Sequence, residues 1–164
     1  MKRAQEPKEA PTSLDLKRYV PALVSQLENK LTMTASAIYL ANLGIGATEM
    51  RIVVLLGTQS HVSGNKIGLA IGLDKSAVSR ALKSLRAHGL IDITKAHGRR
   101  RSVVLTRAGR DVHDRGVELS IRREERLLRR FTRAEREALI SYLNRMLGNM
   151  PLVSALHSGG QRAS

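Results

Sequence analysis

The stretch SGNKIGLAIGLDKSAVSRALKSLRAHGLI, residues 63–91, reads as two capped helical segments joined by a tight turn. In the second segment Asp74 can cap by accepting a backbone N–H, Leu73 and Val78 stand at hydrophobic-staple spacing, and Gly89 supplies the stop. At about 100° per residue, Val78, Ala81, Leu82 and Leu85 gather on one side, and Ser76, Ser79, Arg80, Lys83 and Ser84 spread over the other. A solvated helix face ordinarily mixes Glu with Lys. Here no carboxylate follows Asp74 before the helix ends, so a polyanion can approach this face without repulsion. In the first segment Ser63 is the cap. Gly68, Gly72 and Val78 match the helix-turn-helix pattern, which needs close approach at the first glycine, a sharp turn at the second and an apolar anchor beneath the second helix. A purely structural helical hairpin shares that spacing, so the pair alone leaves both readings open.

The residues that follow separate them. LIDITKA and SVVLT are short β-prone runs, and HGRRR (97–101) between them reads as a hairpin with a basic tip. Three arginines in a row also occur in solvated loops. Directly after a helix-turn-helix pattern they point to phosphate or minor-groove contact, which makes the arrangement a winged helix.

Charge agrees. The 164 residues carry a formal net charge of +14, and a balance this basic favours nucleic acid or an anionic membrane. Aromatics make up only 2%, too few for the stacking platforms that hold single strands, which favours a duplex. The basic faces lack the large apolar opposite side that membrane insertion requires, so no membrane partner is expected. With no apolar run of about 18 residues and no signal-peptide pattern, a soluble, cytoplasmic protein is expected. The absence of cysteine excludes disulfides, thiol sensing and Cys-ligated metal. No catalytic constellation is present either. His61, His88, His97, His113 and His157 lack metal-ligand spacing, and Asp111, Asp114 and Glu118, interleaved with Arg110 and Arg115, form an ion-pair stripe. Neither an enzyme, a cofactor nor a metal is expected.

Further out, residues 1–13 and 151–164 read as flexible arm and tail. Residues 14–44 form a long helix, with Leu16, Val20, Leu23, Val24, Leu27 and Leu31 at helical spacing and a kink or split at Pro21. TEMRIVVLLG (48–57) fits a buried strand or a helix capped by Thr48; the flanking helices favour the helix. Residues 45–108 are then the winged domain. Residues 109–150 close the chain with a charged helix and a second one opened by the capping box of Thr132 and Glu135. Apolar stripes too long for one small domain to bury suggest a second copy of the chain packed on residues 14–43 and 117–150. The expected class is mainly α with a small β-hairpin wing: a winged helix-turn-helix domain plus N- and C-terminal dimerisation helices.

From about residue 14 to 150 this order resembles the MarR (multiple antibiotic resistance regulator) family of bacterial transcription factors. SRALKSLRAHGLI looks like the end of that family's recognition helix, and VVLTRAG like its strand-to-helix LTxxG junction. The resemblance implies a homodimer that binds a pseudo-palindromic operator. It also implies repression until a small anionic or aromatic effector, such as an aromatic acid or its coenzyme A thioester, binds between the dimerisation helices and the winged domain. The candidate DNA contacts are Ser63, Lys66, Lys75, Ser76, Ser79, Arg80, Lys83, Arg99, Arg100 and Arg101; candidate effector contacts are Ser36, Tyr39, Arg51 and His61. One departure is His97, where the family often has an acid that braces the wing arginine two positions on. The competing reading is a charge-driven architectural protein that binds DNA or RNA without sequence preference.

Overall fold

The computed structural model describes residues 13–95 and 101–159. Along them run α1 (Val20–Leu43), α2 (Ala47–Thr58), α3 (Gly64–Ile71), α4 (Lys75–Ala87), β1 (Ile91–Lys95), β2 (Arg101–Leu105), α5 (Arg107–Leu127), α6 (Arg133–Gly148) and α7 (Met150–Gly159). The chain divides into two compact units, Met1–Val117 and Glu118–Ser164. The class is the expected one, mostly helical with one antiparallel hairpin.

In the first unit the helix-turn-helix forms as its spacing requires. Ser63 accepts the Lys66 N–H at 3.4 Å, and the Leu73 N–H reaches back to the Gly68 carbonyl at 3.0 Å. Gly72 makes the turn at φ +69°, a conformation that costs other residues roughly 1–2 kcal/mol. A Cβ on Gly68 would lie 2.9 Å from the Leu73 carbonyl oxygen and 3.5 Å from Val78 Cγ2, so the two helices approach at this glycine. Asp74 accepts the Ala77 N–H at 2.8 Å to start α4. The helix ends in a Schellman arrangement, with Leu90 N–H on the Leu85 carbonyl at 3.0 Å and Gly89 N–H on that of Arg86 at 2.9 Å.

Val78, Ala81 and Leu85 of α4 are buried with Ile67 of α3, Met50, Ile52 and Val53 of α2, and Ile91 of β1. Each large aliphatic side chain in this core contributes roughly 1.5–3 kcal/mol by leaving water. Strands β1 and β2 pair from Ile91 with Leu105 to Lys95 with Arg101. Val62 extends the sheet by a bridge to Val103, donating its N–H at 3.4 Å and accepting at 2.9 Å. His97, Arg99 and Arg100 lie outside the described residues.

Three local expectations change. Pro21 does not kink α1; it stands in the first turn, where a missing N–H leaves no bond broken. Helix α2 starts two residues earlier than a Thr48 cap would give, with extended Gly46 as N-cap and the Ala47 N–H donated to Ser36 Oγ at 3.4 Å. Past Gly148 the chain does not stay irregular. It restarts as α7 with Pro151 as its second residue, again a position that proline tolerates.

In the second unit Thr132 and Glu135 close the expected capping box at the start of α6. No residue of α6 is buried within the chain, although Ile140, Leu143 and Leu147 form its apolar stripe. Among the described residues no single helix is long and apolar enough to cross a membrane.

Candidate nucleic-acid interface and effector cleft

Burial of Val78, Ala81 and Leu85 fixes the rotation of α4, leaving Lys75, Ser76, Ser79, Arg80 and Lys83 exposed on its outward side. At the start of that helix two of these side chains are already organised on the Asp74 cap. Ser76 Oγ donates to Asp74 Oδ1 at 2.6 Å, and Arg80 Nη1 donates to Ser76 Oγ at 3.2 Å. The Asp74 carboxyl is held below its ordinary pKa, first by the Ser76 hydroxyl and then by the Ala77 N–H, with the Arg80 charge adding to both. Ser63 is engaged as the α3 cap, and Lys66 lies exposed in the first turn of α3. Arg101 begins β2, where it pairs with Lys95 at the end of the hairpin farthest from Ile91 and Leu105.

Ser36 Oγ accepts from Ala47, Tyr39 is buried at 4% exposure, and Arg51 Nη2 lies 3.9 Å from Glu28 Oε1 with both side chains about half exposed. Of the four candidate effector contacts, His61 borders a cleft of about 570 Å³ formed by the end of α2, strand β2 and the start of α5. His61 has φ 60°, a left-handed conformation that histidine tolerates better than most residues, and its Nδ1 lies 3.4 Å from the buried Ser102 Oγ. Ser102 Oγ in turn lies 2.9 Å from Thr94 Oγ1, which ties the α2–α3 junction to both strands of the wing.

Sequence reasoning missed the polar groups opposite His61. Ser60, Arg110, His113 and Asp114 also line the cleft. Arg110 Nη1 donates to the Leu105 carbonyl at 2.9 Å, and His113 Nδ1 lies 2.8 Å from Asp114 Oδ1. The His113 ring lies where a Cβ on Gly57 would stand, so the bare backbone of α2 makes room for it. The available signal was the i, i+3 spacing of Arg110 and His113 immediately after β2, which sets both on one face of α5. Among the described residues no group of three or more His, Asp or Glu side chains could hold a metal.

A family model described as MarR family matches residues 43–102, from the end of α1 into β2. No curated protein matches the chain. Among solved structures, a MarR/EmrR family transcriptional regulator from Acinetobacter sp. ADP1 is 31% identical, with a TM-score of 0.80 over 85% of this chain and 99% of that one. MepR of S. aureus, solved as a DNA complex, is 19% identical with a TM-score of 0.73 over 82% of this chain and 98% of its own. The PcaV regulator of Streptomyces coelicolor, solved with its natural ligand, is likewise 19% identical, with a TM-score of 0.72 over 84% and 98%. At 19% these two likenesses are of fold alone. The helix-turn-helix, the wing and the near-complete coverage of the Acinetobacter regulator together place the protein: it belongs to the MarR family of transcriptional regulators.

Proposed function

We propose that this chain is a sequence-specific duplex-DNA-binding repressor, working in the bacterial cytoplasm as a homodimer on a pseudo-palindromic operator and released by a small acidic effector. The observation that carries the reading is the outward side of α4, where Lys75, Ser79, Arg80 and Lys83 stand exposed with no carboxylate beyond the cap. In this reading α4 lies in the major groove with Ser79 and Arg80 at base edges, and Lys83 contacts the backbone. Ser63, Lys66 and Lys75 meet flanking phosphates, and the arginines at 99–101 extend the contact from the wing. The fold shared with the DNA-bound MepR supports that placement.

Selection of bound duplexes from a random library tests it. A preferred sequence that survives competition by bulk duplex at moderate salt is the expected outcome. A protein titrated away by bulk duplex would instead be a charge-only architectural binder.

The cleft beside His61 is the proposed effector site. Arg110 and two histidines suit a carboxylate, and the apolar Leu56 and Leu105 suit an attached ring such as that of an aromatic acid, free or as a coenzyme A thioester. The expected result is release of the preferred duplex by aromatic acids, weakened by His61→Ala or His113→Ala. Release that ignores both substitutions places the effector elsewhere, with Ser36, Tyr39 and Arg51 as the remaining candidates.

A further inference from the structure

We infer that Ser76 is a positioning residue that aims the guanidinium of Arg80 through an Asp74–Ser76–Arg80 relay, and that it does not read a base itself. The inference rests on the proposed DNA reading and deepens it. A serine hydroxyl has one proton and two lone pairs. The Ser76 proton is committed to Asp74 Oδ1 at 2.6 Å, and one lone pair accepts from Arg80 Nη1 at 3.2 Å. With its proton spent, Ser76 cannot donate to the major-groove acceptors of guanine, adenine or thymine. Side chains on a helix lean toward its N-terminus, so Arg80 naturally reaches back one turn to position 76. Asp74 also holds the Ala77 N–H at 2.8 Å, so the far end of the relay is fixed to the backbone of α4.

The relay also decides between two acids. Arg80 and Glu49 line the same hollow between α2 and α4, and without Ser76 the guanidinium is free to swing toward Glu49. Tethering Nη1 to Ser76 draws it to the leading end of α4 and leaves Nη2 and Nε for a bidentate pair with guanine O6 and N7. The Ser76 hydroxyl and the Ala77 N–H hold the Asp74 carboxyl below its ordinary pKa, so the acid end of the relay is ionised at neutral pH.

The test uses the full chain, its selected duplex and a set of duplexes each changed at one base pair. Ser76→Ala should flatten discrimination at the base pair that Arg80→Ala flattens, by on the order of tenfold. It should leave the slope of log K against log salt unchanged and add nothing in an Arg80→Ala background. Ser76→Thr, which restores the hydroxyl, should restore discrimination. Alanine raises helix propensity, so the first variant is expected to fold. Lost discrimination at a different base pair, or a further loss in the Arg80→Ala background, would mean that Ser76 reads a base and would overturn the inference. Unchanged discrimination would overturn it too. A wild-type chain with no preferred duplex defeats the DNA reading itself, and this inference with it.

Discussion

Arg80 and Lys83 stand one turn apart on the exposed side of α4, yet their expected contributions differ in kind. A guanidinium that reads a base separates sequences, whereas an ammonium on a phosphate binds all sequences alike. Arg80→Ala should therefore lose about 1–3 kcal/mol on the preferred duplex and far less on unrelated ones. Lys83→Ala should weaken both equally and reduce the salt slope by about one. Titrations at several salt concentrations measure both, and equal losses for Arg80→Ala on every duplex would reduce it to a phosphate contact. Asp74 makes its own prediction at this scale. Its folded pKa is depressed, so its cap contributes stability above the unfolded carboxylate value, and that contribution is lost as pH falls through the lower folded value. Asp74→Asn keeps an acceptor at the cap but does not titrate. Thermal melts of the variant should show a shallower acid limb below about pH 4, and an unchanged limb would show that the charge at position 74 is idle.

Elements form here by local rules that the sequence displays, and they go astray where one residue serves two purposes. The α3 and α4 caps, the turn at Gly72, the stop at Gly89 and the capping box of Thr132 with Glu135 all depend on residues within five positions of one another, so spacing reveals them. Proline misled twice for a single reason. At Pro21 and Pro151 it reads as a break, but in the first turn of a helix it breaks nothing, so α1 has no kink there and the described residues 151–159 are helical. The cleft was hidden for a different reason. His61, Arg110 and His113 meet only because the bridge from Val62 to Val103 and the β2-to-α5 junction bring distant segments together.

That junction carries an element-scale prediction. Thr106 Oγ1 accepts the Gly109 N–H at 3.0 Å and donates to the Gly89 carbonyl at 2.8 Å, so the start of α5 is tied to the end of α4. By propensity alone Gly109→Ala should stabilise α5 by up to about 1 kcal/mol. A Cβ there would, however, run into the Leu90 carbonyl oxygen, which is backbone and cannot turn aside. Overpacking of this kind costs about 1–3 kcal/mol, so the net sign is destabilising. Denaturant unfolding of Gly109→Ala should show a lower midpoint. A raised midpoint would mean that the junction yields.

The whole molecule leaves apolar surface that neither unit covers by itself. On α1, Val20, Leu23, Val24 and Leu27 are 41–50% exposed, and on α6 Leu143 is 43% and Leu147 69% exposed. Exposed leucines scattered singly need no explanation, but stripes at helical spacing on helices near both ends of the chain are what a second copy would bury. The proposed twofold dimer also accounts for how one short helix per chain could select a site, since two copies of α4 set about 34–36 Å apart would each read a half-site one helical turn from the other. The two explanations of the α6 stripe respond oppositely to a charge. On a free monomer surface Leu143→Glu and Leu147→Glu fall within about 0.5 kcal/mol of neutral. At a buried interface each strands an unpaired carboxylate and abolishes pairing. Sedimentation of the wild-type chain should give twice the 18.0 kDa of one chain, with a melting temperature that rises with protein concentration. The double variant should sediment as a monomer, and it should bind a full palindrome no better than an isolated half-site, because the second α4 then no longer arrives at the high effective concentration of a linked partner. A double variant that stays dimeric would remove the α6 stripe from the interface.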